Sequence, residues 1–98
     1  MKKNGIELIA QERLEQIEKH SRTIEQDVDL NRNQQLSIAA SKLCSYEMDI
    51  PDFFEPDGWD SKIWEHMTEK PYKERLIIAG ALICAEIDRI QSIYYENR

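Results

Sequence analysis

Glycine and proline are scarce in this chain, with three of each among 98 residues. A β-rich fold spends such residues on its many turns, so their scarcity points to helix. Cysteine is nearly absent as well. Cys44 and Cys84 lie far apart, form no CxxC metal or redox pair, and sit in apolar helical contexts that predict buried free thiols. The longest apolar run, Leu76 to Ala85, is ten residues, half of the roughly 20 that span a bilayer, so no transmembrane segment is expected. The opening MKKNGIELIAQERLE lacks the apolar core and cleavage site of a signal peptide, which makes the cytoplasm the expected compartment. Positive charge is in deficit: the net charge is −6 and no Lys/Arg cluster stands out, which argues against a duplex nucleic-acid binder. Gly-rich phosphate loops, GxSxG and HExxH are missing too, so no complete catalytic set is present.

What remains is an ordinary globular mixture, 41% apolar and 33% charged. A chain of this length forms one domain, residues 1–98, and buries somewhat over roughly 60% of its unfolded surface. The expected architecture is all-α: a small bundle of three main helices and one or two short ones.

The long C-terminal stretch from Lys70 to Tyr94 is its predicted centre. Pro71 suits a helix start. Leu76, Gly80, Ile83, Ile87, Ile90 and Tyr94 recur at helical spacing, and a helix apolar all round is expected to be buried. Asn4 with Glu7 fits a capping box opening a first helix that ends near His20, with Ile6, Ala10, Leu14 and Ile17 as its apolar stripe. Thr23 can cap a short turn from Ile24 to Leu30. A second main helix runs from about Asn33 to Met48. Its small-residue centre SIAAS is expected to pack closely against the AGA of residues 79–81. Residues 49–60 break the helical pattern, with Asp57-Gly58 as a turn, and their aromatics suggest a lid folded onto the bundle. Asp60 or Ser61 then caps a short helix holding Ile63, Trp64 and Met67.

Two constellations could carry chemistry. Arg13, Gln16, Arg22 and Arg75 with Trp59, Trp64 and Tyr72 combine phosphate-binding forks with stacking faces, as a nucleotide site would. The simpler reading is aromatic core and solvated arginine. Glu12 and Glu15 on the first helix and Glu86 on the last could together hold Mg²⁺. Glu86 stands on the face of Ala79, Leu82, Ile83 and Ile90, so burial requires a partner for it; Arg13 or Arg89 would serve without a metal. The histidines read as structural: His20 at a helix C-terminus, His66 on a surface.

GIELIAQERLEQIEKH and KPYKERLIIAGALICAEIDRI resemble a family of small bacteriophage and prophage helical proteins. The matches are Glu12, Arg13, Gln16 and Ile17, then Asp27 and Asp29, Ala39 and Ala40, Trp59 and Trp64, and Ala79 to Arg89. The resemblance implies a fold and no activity. The ER-x-x-Q opening is also similar to MazG-like nucleotide pyrophosphohydrolases, all-α enzymes that hold Mg²⁺ on an ExxE helix and a following acidic helix. Here the second main helix reads QQLSIAASKLC, with no glutamate before Glu47, and the ExxE lies in the first helix instead.

Three functions are expected as alternatives. One is a non-catalytic phage-type protein that sequesters a nucleotide-like molecule or binds a protein. Another is a Mg²⁺-dependent pyrophosphohydrolase. The third is a structural or protein-interaction helical module. The amount of small and apolar helix surface also leads us to expect a homo-oligomer.

Overall fold

The computed structural model describes residues 2–20, 23–32, 34–45 and 54–96, side chains excepted at positions 20, 25, 30 and 93–96. These fold as five helices with no strand among them: α1 (Gly5–His20), α2 (Ile24–Leu30), α3 (Gln35–Leu43), α4 (Ser61–Thr68) and α5 (Tyr72–Glu96). Three are long enough to be main elements and two are short, as the sequence predicts. The globule is flattened, 42 × 39 × 20 Å, with a radius of gyration of 13.6 Å. None of the described helices is long and apolar enough to cross a membrane.

Local chemistry sets the helix starts. At α1 the Glu7 N–H donates to Asn4 Oδ1 (2.9 Å) and the Asn4 N–H to Glu7 Oε1 (3.1 Å), a capping box. Thr23 Oγ1 accepts from the Gln26 N–H at α2. Asp60 Oδ1 accepts from the Lys62 and Ile63 N–H groups at α4. Pro71 precedes the first turn of α5, where its carbonyl accepts from the Arg75 N–H. The turn at Asp57-Gly58 closes with a bond from the Trp59 N–H to the Pro56 carbonyl. Gly58 there has φ +83°, which a residue with a Cβ rarely adopts.

Packing is organised on α5, which touches all four other helices while those touch one another little. Its most extensive partner is α3, and Ala39, Ala40 and Ala79 share one buried cluster with Leu36, Leu43, Trp64 and Leu82, as the SIAAS-to-AGA pairing anticipates. Helix α3 itself is shorter than expected. Cys44 caps it after Leu43, and the segment to Met48 lies outside the described residues. The connecting segment from Phe54 is fastened to the bundle: Lys42 Nζ donates to the Phe54 carbonyl (2.8 Å) and Gln35 Nε2 to the Asp57 carbonyl (3.4 Å).

Two helices present different faces from those expected. On α1, Ile6 is 82% exposed and Leu14 56%, with Ala10 exposed too, whereas Arg13 and Gln16 are buried. The helix is turned roughly one residue step from its apolar stripe, because a carboxylate partner for Arg13 waits inside the bundle. On α5, the row Leu76, Ile83, Ile87 and Ile90 is the solvent face, each 37–50% exposed. The helix is therefore buried on one side only, along Arg75, Ala79, Leu82, Ala85 and Glu86. Both cysteines are exposed rather than buried. Cys84 lies on the open side of α5, and Cys44 follows the last turn of α3.

Gly80 interrupts the α5 row for a packing reason. A Cβ there would lie 2.5 Å from Ile9 Cδ1 and 2.8 Å from Ile9 Cγ1, so Ile9 of α1 sits in the notch that glycine leaves. Gly80→Leu should therefore push α1 off α5 and cost about 1–3 kcal/mol in urea unfolding. Adding Ile9→Ala should recover part of that loss. No recovery would mean that the two residues do not share the space.

Candidate functional site

Most of the buried polar groups fall into three sets. The largest joins α1, α2, α5 and the loop before α4. Trp59 Nε1 donates to Asn31 Oδ1 (2.9 Å), Asn31 Nδ2 donates to Asp27 Oδ1 (3.0 Å), and Arg13 Nη2 lies 3.9 Å from Asp27 Oδ2 and 3.5 Å from Asp88 Oδ2. An indole only donates and a carboxylate only accepts, so the orientation of the Asn31 amide follows from its neighbours. Arg13, Asp27 and Asn31 are all buried. Of Asp27 on α2 and its C-cap Asn31, only Asp27 stood out in the sequence; their i, i+4 spacing after a Thr cap is the signal that pairs them.

The second set belongs to Arg75, which is 4% exposed. Its guanidinium donates to the carbonyls of Lys70 (3.1 Å), Leu43 (3.2 Å) and Ser45 (2.6 Å), and it stands 5.4 Å from the centre of the Tyr72 ring. Two of those carbonyls lie at the C-terminal end of α3, where the helix dipole favours a cation. Arg75 is thus a helix cap. The third set is Glu86 with Arg89, one turn on, whose Nε donates to Glu86 Oε1.

These contacts redistribute the residues singled out from the sequence. Arg13, Trp59, Arg75 and Glu86 are each engaged inside the fold, and Trp64, 2% exposed, is core, edge-on to Trp59 at 6.0 Å. Tyr72 stays on the surface beside Arg75. Arg22 lies outside the described residues. The carboxylates Glu12, Glu15 and Glu86 do not converge, and no group of three or more His, Cys, Asp or Glu among the described residues could hold a metal. Glu86 has the arginine partner that the sequence offered as the simpler alternative.

Three predicted residues, Glu12, Glu15 and Gln16, line a groove. Helices α1 and α4 both pack on α5 and hardly on each other, which leaves a groove of about 570 Å³ between them. Glu12, Glu15 and Gln16 form its α1 wall. Lys62, His66 and Lys70, spaced four apart, edge the α4 side, with Ile63, Met67 and Ile78 between the walls. Gln16 is 2% exposed, and its Nε2 donates to Glu12 Oε2 (3.3 Å). Because the carboxylate can only accept, the amide oxygen must point the other way, and Gln16 Oε1 is buried without a hydrogen-bond partner. A second groove of about 330 Å³, with Leu8, Ile9, Leu76 and Ile77 in its lining and Lys3 and Lys73 beside them, joins the start of α1 to the open face of α5. Neither groove is lined by Arg13, Trp64 or Glu86. No family model, curated protein or solved structure matches the chain.

Proposed function

We propose that this protein is a helical interaction module that pairs with a second copy of itself through the open face of α5. The observation that carries this reading is the exposed row Leu76, Ile83, Ile87 and Ile90. Its members repeat at spacings of seven, four and three, the pattern by which two helices interlock side chains along a seam. Between Leu76 and Ile87 the only charged residue is Glu86, which is buried and paired with Arg89. A chain with net charge −6 can therefore bring this face against its own copy with little like-charge repulsion. Such a row left in water is the signature of an interaction site in a small soluble fold.

The nucleotide-binding and Mg²⁺-pyrophosphohydrolase readings lose support here, since Arg13, Arg75, Trp59 and Glu86 already have internal partners and Trp64 is core. The likeness of the first and last helices to phage-borne proteins adds a setting to the proposal, an infected or lysogenic cell.

Sedimentation equilibrium at micromolar concentration should return a dimer. Labelling should agree: dimerisation should slow modification of Cys84, beside the seam, and leave Cys44 as an internal reference. A monomer whose two thiols react alike at every concentration would remove the proposal.

A further inference from the structure

The groove between α1 and α4 has opposite charge on its two sides. Its α1 wall offers the carboxylates of Glu12 and Glu15, and its α4 side offers Lys62, His66 and Lys70. None of the ion pairs described joins one side to the other. Between them lies apolar surface from Ile63, Met67 and Ile78. Gln16, almost fully buried, completes the α1 wall beside the two carboxylates. The volume, about 570 Å³, falls in the range of small-molecule sites, roughly 300–1,000 Å³.

We infer that this groove binds a small zwitterion with an apolar body, namely a free apolar amino acid or a dipeptide of such residues. The ammonium is balanced by Glu12 and Glu15. The carboxylate turns to Lys62, His66 and Lys70, and the side chain lies over Met67 and Ile78. Each demand comes from a different wall, so a singly charged molecule meets only half of the site. A nucleotide fits less well. Its phosphates would suit the lysines but face two carboxylates across the groove, and neither tryptophan lines it.

Calorimetric titration of the full chain with L-leucine and L-leucyl-L-leucine tests this, beside leucinamide, which lacks the carboxylate, and N-acetylleucine, which lacks the ammonium. At least one zwitterion should bind at millimolar concentration or below. Each singly charged analogue should be weaker by roughly tenfold or more, the worth of a lost charge-assisted hydrogen bond. Lys62→Gln with Lys70→Gln, both outside the core, should erase the preference for a free carboxylate without unfolding the protein. Equal binding of the analogues, no binding by either zwitterion, or binding only of nucleoside triphosphates would overturn the inference. Self-association through α5 is a separate measurement and can fail independently.

Discussion

Arg13→Ala should cost the fold about 3–5 kcal/mol, because it removes one partner of a buried ion pair. Two pairs meet at Arg13, and distance alone would rank them wrongly. The closer one, to Asp88 at 3.5 Å, involves a side chain 40% exposed, and water screens most of its value. The longer one, to Asp27 at 3.9 Å, joins side chains only 9% and 3% exposed. A total stability of about 5–15 kcal/mol is typical for a domain, so the variant should be close to unfolding. The diagnostic comparison is a compensated pair. Arg13→Met keeps the aliphatic stem, and Asp27→Asn keeps an acceptor for Asn31 while removing the charge. Together they should recover most of the loss, since replacing both ions of a buried pair is often neutral. Urea unfolding reads both. A small effect of Arg13→Ala would mean that Asp27 is not held by Arg13, and failure of the pair to recover would shift the role to packing by the arginine stem.

Ile83→Glu combined with Ile87→Glu should weaken self-association by roughly 10²–10⁴-fold, given about 1.5–3 kcal/mol for each large apolar side chain buried. Ile83 and Ile87 are 46% and 50% exposed in the single chain, so the same changes should barely alter the monomer's own unfolding. That contrast is what makes the pair informative: a core position would lose both properties together. Leu82, the immediate neighbour, is fully buried, and Leu82→Ala should instead lower stability by about 2–5 kcal/mol. Sedimentation of the double glutamate variant at several concentrations, with its thermal unfolding, separates the outcomes. Unchanged association would place the contact elsewhere on the molecule.

Placement of charge decides between roles in this small fold. Glu86 was the residue that a simple core helix could not explain, and Arg89 one turn away answers it. With that pair closed and Arg75 capping α3, the interior presents no open polar site at those positions. The open features lie at the surface, on one face of α5 and in the cleft where α1 and α4 stand apart.

Much of this was legible from the chain alone. The capping residues Asn4, Thr23 and Asp60, the Asp57-Gly58 turn, and the small-residue pairing of α3 with α5 are short-range or composition-driven, and each follows from the identity of a few neighbours. The all-α architecture and the central position of the last helix follow in the same way. Which face of a helix turns inward does not. The apolar row Ile6, Ala10, Leu14 predicts one orientation for α1, yet Arg13 and Gln16 go inside. Arg13 there meets a carboxylate on α2 that no local pattern connects to it. The apolar centre of α5 predicts burial all round, yet its neighbours cover only one side. The sequence by itself determined where helices begin and that they form a bundle, because those choices depend on interactions within a turn or two. Only the tertiary structure decided that Arg13 is a buried tie, that Gln16 opens on a groove, and that the row from Leu76 to Ile90 faces water. Those outcomes depend on what the other four described helices can and cannot cover on α5.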